Sequence, residues 1–229
     1  MKPLGPIPPG FDTIDGVLAI DGRKVTDLVA EAGGTPLFVY SRDMLSARVV
    51  ALRAAMPQRL AIHYAVKANP YAPLLRHMLN LVDGFDIASG GELAIVQSAG
   101  IDPGRVSFAG PGKRDAELEA AIAAGVTLNL ESEGEANRAM AIAERLGVTP
   151  KLAIRVNPEF DLKGSGMKMG GGAKPFGIDE ERVPALGRKL IEAGVDWRGF
   201  HIFAGSQALS ADAIIGTQRQ TLALAARLA

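Results

Sequence analysis

Lys67 lies in HYAVKANP, near the end of the apolar run Leu60–Ala68. A lysine drawn into an apolar strand loses hydration, so its pKa falls and its amine becomes a nucleophile able to condense with an aldehyde. The alternative is a lysine whose stem lies on the strand while its charge reaches water. Asp86 and Glu92 lie in FDIASGGE. An aspartate on the same face as Lys67 could tune its charge, while Ser89 and Glu92 have the spacing of a helix capping box. Arg155, in KLAIRVNP, needs an anionic or hydrogen-bonding partner if it points inward. His201, in GFHIFAGSQ, could face a flat ring, move a proton or serve as a satisfied core residue. Gly205-Ser206 follows at a strand end, where a helix start would offer free N–H groups to a phosphate or be an ordinary cap. Gly164–Asp179 is the longest glycine-rich stretch and lacks the Gly-Lys-Ser/Thr ending of a Walker loop. It reads as a substrate loop or a linker.

Alternating strand and helix patterns position these residues. Strands are predicted at Pro36–Ser41, Leu60–Ala68, Gly84–Ser89, Val106–Gly110, Val126–Glu131, Lys151–Asn157 and Gly199–Gly205. Helices are predicted at Arg42–Met56, Tyr71–Leu81, Gly90–Ala99, Arg114–Ala124, Ser132–Leu146, Glu180–Ala193 and Ser210–Leu228. Gly100, Gly125 and Gly194 each stand just past a helix, where a left-handed cap is wanted. Repeated βα units imply a parallel sheet. Six strands, from Leu60–Ala68 onward, carry large apolar side chains on one face and small or polar ones on the other. A doubly wound sheet needs both faces apolar, whereas a barrel needs mainly its outside so. The fold class is therefore α/β, a (β/α) barrel with Lys67, Asp86, Arg155 and His201 converging at the C-terminal strand ends.

The 229 residues carry 25 Lys+Arg and 25 Asp+Glu, so no basic surplus points to nucleic acid. Without cysteine there is no disulfide, thiolate metal site or cysteine nucleophile in this chain, which fits a reducing cytoplasm. Met1–Gly10 lacks the apolar core of a signal peptide, and no run is long enough for a membrane helix.

Seven motifs in order, PLFVYS, HYAVKANP, FDIASGGEL, VSFAGPGK, LAIRVNP, FGID and GFHIFAGSQ, resemble the fold-type III pyridoxal phosphate (PLP) decarboxylases of the diaminopimelate and ornithine group. The resemblance implies a PLP-dependent decarboxylase of an amino acid or amino-acyl group, with Lys67 carrying the cofactor as an aldimine. It implies Asp86, Glu92 and Arg155 around that lysine, His201 stacked on the pyridine ring, and Ser206 at the phosphate. No metal is implied. Two residues more than usual separate His201 from Gly205-Ser206, and MKMGGG precedes FGID. Both features resemble the exosortase-associated decarboxylases of exopolysaccharide loci and the enzyme acting on a carrier-bound glutamyl group in butirosin biosynthesis.

The resemblance further implies a segment 1–41 belonging with a β-rich domain, and residues 42–229 as a PLP-binding barrel carrying about six of eight strands. The chain is thus expected to be the N-terminal portion of a longer homodimeric enzyme, inactive alone. Competing readings are a non-catalytic PLP-carrier barrel and an alanine racemase-like enzyme.

Overall fold

A computed structural model describes residues 10–161, 167–168 and 175–229. The chain divides into two compact units, Met1–Ile62 with Asn80–Val82, and His63–Leu79 with Asp83–Ala229.

The first unit holds strands β1 (Phe11–Ile14), β2 (Val17–Ile20) and β3 (Arg23–Lys24) in an antiparallel sheet, then helices α1 (Val25–Ala32) and α2 (Arg42–Ala55). Its two hairpins turn at Asp15-Gly16 and Asp21-Gly22, with all four residues at positive φ. That is the requirement of a type I′ turn, and Asp-Gly meets it at low cost. Ser41 caps α2 by accepting the Met44 N–H at 3.1 Å. The predicted strand at Pro36–Ser41 is not formed, because the segment finds no ladder partner among the described residues.

The second unit is built from βα repeats. Its strands are β4 (His63–Ala65), β5 (Gly84–Ile87), β6 (Val106–Phe108), β7 (Thr127–Leu130), β8 (Lys151–Asn157) and, after two short pieces β9 (Met167–Lys168) and β10 (Ile178–Asp179), β11 (Asp196–Ile202). The order β4-β5-β6-β7-β8-β11 is parallel throughout, six successive strands of a barrel wall. Val156 of β8 pairs with Ile202 on one edge and Ile178 on the other, so β10 prolongs the β7 edge beyond Leu130. Helices α3 (Ala72–Met78), α4 (Gly90–Ser98), α5 (Asp115–Ala124), α6 (Glu133–Leu146), α7 (Val183–Glu192) and α8 (Ala211–Leu228) alternate with the strands.

The core contains the apolar strand face: Phe85, Ile87, Phe108, Leu128, Leu130, Leu152 and Ile154 are buried. With them are buried Leu93, Leu118, Ala139, Ile142, Leu186 and Leu190 from the helices. The opposite face carries the polar groups, which is the alternation expected of a barrel wall. Gly100, Gly125 and Gly194 take φ of 80°, 77° and 75°, the left-handed stops anticipated for them.

Two further strand expectations need correction. Leu60–Ala68 shortens to His63–Ala65, and Val66–Ala68 winds into one 3-10 turn, because among the described residues this strand has a parallel neighbour on one side alone. Gly199–Gly205 moves to Asp196–Ile202, where it pairs with Lys151–Val156 of β8. Gly205-Ser206 forms a short strand, β12, antiparallel to β9, so it does not open a helix. Most of the glycine-rich stretch Gly164–Asp179 lies outside the described residues.

Candidate functional site

The polar face of the sheet and the segments at its strand ends hold two clusters of titratable groups. The first starts at β4. His63 Nδ1 lies 3.2 Å from Asp86 Oδ1, which also accepts from Ser107 Oγ at 2.6 Å. Asn129 Nδ2 donates to that hydroxyl at 3.3 Å. The row crosses four adjacent strands because their inward residues stand side by side in a parallel register. Burial pushes the Asp86 carboxyl up, but hydrogen bonds from His63 and Ser107 outweigh it and hold the carboxyl below its usual range. The Asp86 hydrogen bond raises His63 against the opposing effect of burial.

The second cluster lies at the C-terminal ends of β6, β7 and β8. Glu131, just past β7, is buried. Its Oε1 accepts from Gly110 N at 2.5 Å and Arg155 Nη1 at 2.8 Å, while Oε2 accepts from Gly177 N at 2.8 Å. The Arg155 guanidinium lies over the Phe176 ring, 4.8 Å from its centroid. Beside it, Lys113 Nζ donates to Gly110 O (2.7 Å), Asn129 O (2.9 Å) and Glu135 Oε1 (2.7 Å). Burial pushes Lys113 down and Glu135 up, each opposed by its partner's charge. Fully paired, these buried charges avoid the cost that isolated ones would impose.

His201 stands beside Arg155 in the β8–β11 register. Its Nδ1 is sealed from solvent and has no hydrogen-bond partner among the described residues. Burial first, then the Arg155 charge, lowers its pKa to about 4, although the Asp86 and Glu131 charges pull the other way. The ring is neutral at pH 7.

His201 is thus within electrostatic reach of both Arg155 and Asp86. Asp86 is bonded to His63 and Ser107 rather than to Lys67. Lys67 is exposed in the 3-10 turn after β4, so the expected desolvation is absent, and among the described residues its ammonium makes no hydrogen bond or ion pair. Of the expected capping box only one half forms: Ser89 Oγ accepts the Glu92 N–H at 3.2 Å, while Glu92 Oε2 accepts Ala88 N at 2.7 Å, the residue before the cap, and not the N–H of Ser89 itself. Ser206 belongs to the β12–β9 ladder.

His63, Lys113, Glu131 and Glu135 were missing from the candidates. His63 and Glu131 share the inward parity of Lys67 and Asn129, which was the available signal. Lys113 and Glu135 lie outside strands, so no periodicity marks them. Among the described residues no group of three or more His, Cys, Asp or Glu could hold a metal ion, and no helix is long and apolar enough to cross a membrane.

Residues 42–229 match the family model described as pyridoxal-dependent decarboxylase, pyridoxal binding domain. The diaminopimelate decarboxylase of Neisseria meningitidis serogroup A is 43% identical over 157 residues, which cover 66% of this chain and 38% of that protein. The L-glutamyl-[BtrI acyl-carrier protein] decarboxylase of Niallia circulans is 31% identical over 207 residues, 90% of this chain and 48% of that one. The crystal structure of diaminopimelate decarboxylase from Helicobacter pylori complexed with L-lysine superposes with a TM-score of 0.80 at 28% identity, covering 89% of this chain and 52% of that one. The chain therefore spans about half, or less, of the length of these relatives. None of the three is an exosortase-associated enzyme.

Proposed function

This chain belongs to the pyridoxal-dependent decarboxylase family, and from that premise we propose that it supplies the PLP site of an enzyme that removes the α-carboxyl group of an amino acid. The observation that carries the reading is His201: a neutral, flat ring with an unpartnered buried nitrogen, beside a charged Arg155, at the C-terminal side of a parallel sheet. The residues fit the cofactor. Lys67 offers an amine without a competing partner at the same side of the sheet. His201 offers a face for an aromatic ring, Arg155 and Asp86 bring opposite charges within electrostatic reach of it, and Ser206 is the candidate for the phosphate.

When bound, PLP supplies an electron sink for the pair left on the α-carbon as carbon dioxide departs. The protein's part is to position and exclude. A neutral His201 can stack without repelling a cationic ring, and Arg155 fixes a positive charge that does not titrate. Lys67 is the attachment point, and its freedom from ion pairs leaves its lone pair available once the proton is lost.

Diaminopimelate is the first substrate to test, because relatives at 43% and 38% identity carry that activity in their names. A carrier-bound glutamyl group is the second, on the relative from Niallia circulans. The same reading makes the full-length protein a cytoplasmic homodimer in which residues 1–41 belong with a β-rich domain. Adding PLP and reducing with borohydride should leave a stable pyridoxyl label on Lys67, located by peptide mass mapping. A label elsewhere would overturn the site. Carbon dioxide release should then be screened over diaminopimelate, lysine, ornithine, arginine and carrier-bound glutamate. Retained PLP binding with no release from any of them would favour a PLP carrier instead.

A further inference from the structure

Glu131, just past β7, ties three separate segments together. Its carboxylate is sealed from solvent, with 1% of the side chain accessible. It binds the loop after β6 through Gly110 N, the start of β10 through Gly177 N, and β8 through Arg155. Each contact has a geometric reason to be fixed. Gly177 has φ +77°, and a Cβ there would come within 2.9 Å of Arg155 O, so its N–H is pressed against β8. Gly110 has φ +124°, and Lys113 grips its carbonyl while Glu131 grips its N–H. Phe176, next to Gly177, covers the guanidinium of Arg155.

An arginine side chain has several rotatable bonds and, in a site open to a cofactor, would sample many positions. Here one nitrogen is bonded to Glu131 and one face is covered by Phe176, which leaves the guanidinium a single place beside His201. We propose that Glu131 is a positioning residue of the PLP site, setting the placement of Arg155, and with it the electrostatic setting of His201, through one carboxylate that also ties down the two flanking loops. The inference rests on the PLP site proposed above.

Glu131→Gln keeps the shape but removes the charge and turns an N–H₂ toward a backbone N–H. Arg155→Met removes the residue through which Glu131 is argued to act. In the full-length protein, PLP affinity, the visible circular dichroism of bound PLP and the melting temperature are measured for both variants and their combination. Outer residues that orient ligating side chains at metal sites change affinity by about 10- to 100-fold. By analogy, E131Q should weaken PLP binding about tenfold or more and alter the dichroism, and the double variant should bind no more weakly than R155M. If E131Q does not fold, Glu131→Asp, which keeps the charge but falls one methylene short, takes its place with the same expectations. A lowered melting temperature with unchanged affinity and dichroism would reduce Glu131 to a structural tie and overturn the inference. Losses that multiply in the double variant would overturn it as well. A wild-type protein that takes no PLP at Lys67 would instead sink the functional reading, a result read without any Glu131 variant.

Discussion

Around the C-terminal ends of β6 to β8, the buried charged groups among the described residues are paired. Lys113 and Glu135 are 1% and 2% accessible, and Arg155 and Glu131 are 7% and 1%. At the β4 side, the polar face carries His63 and Asp86 at 39% and 44%, and Lys67 is exposed in the turn that follows, without a partner among the described residues. Strands flanked on both edges and covered by helices exclude water, so a charge there persists only in a pair. A strand with one neighbour keeps its end in solvent, and a lysine there stays free. The contrast suits a site that must hold some charges rigidly and leave one amine available.

The sharpest way to break the contrast is to remove one half of the innermost pair. Lys113→Met leaves Glu135 buried without its cation and two carbonyls without a donor. Breaking such a pair costs about 3–5 kcal/mol, so urea denaturation should show a loss in that range. Lys113→Met with Glu135→Leu should recover much of it, since an apolar replacement of both partners removes the unpaired charge. A single variant within 1 kcal/mol of the wild type would mean that the interior is wetter than its burial implies.

His201 offers a test of smaller size. Its folded pKa of about 4 lies below the unfolded value of 6.5, so between those values the unfolded chain binds the extra proton. Stability should therefore fall as pH drops through this window. One unit is worth about 1.4 kcal/mol, which gives a total on the order of 3 kcal/mol. His201→Gln should flatten that part of the stability profile. A profile unchanged by the substitution would show that the ring is not held neutral by its surroundings.

Much of this was legible in the sequence where local chemistry and period agree. Lys151–Asn157 is a strand from end to end as its pattern requires, and α2, α4, α6 and α8 start at Ser41, Ser89, Ser132 and Ser210, each accepting an N–H three residues on. Parity correctly separated Phe85 and Ile87, which are buried, from the polar Asp86. The β1–β3 sheet was missed although Asp15-Gly16 and Asp21-Gly22 are hairpin signals, because its strands are only two to four residues long. Partners were the hardest to read. Asp86 chose His63 and Ser107 over Lys67 through register, and Lys113 met Glu135 across 22 residues, a distance to which periodicity is blind.

The smallest effect belongs to the exposed end of the contrast, and its sign distinguishes it. His63 is raised and Asp86 lowered, so their bond is complete only where both are charged. The His63 contribution is present below the unfolded value of 6.5 and is lost as pH rises through its higher folded value. The Asp86 contribution is present above the unfolded value of 3.8 and is lost as pH falls through its lower folded value. The pair is thus strongest between those two unfolded values. Because both side chains are more than a third exposed, solvent screening limits it to a few tenths of a kcal/mol. Stability is the wrong instrument for so small a term, whereas the titration itself is a sensitive one. Asp86→Asn should move the His63 imidazole NMR titration down toward 6.5 while changing the melting temperature little. A His63 titration that ignores the substitution would mean that the β4 edge is so well solvated that the 3.2 Å contact carries no coupling, leaving Asp86 to Ser107 alone.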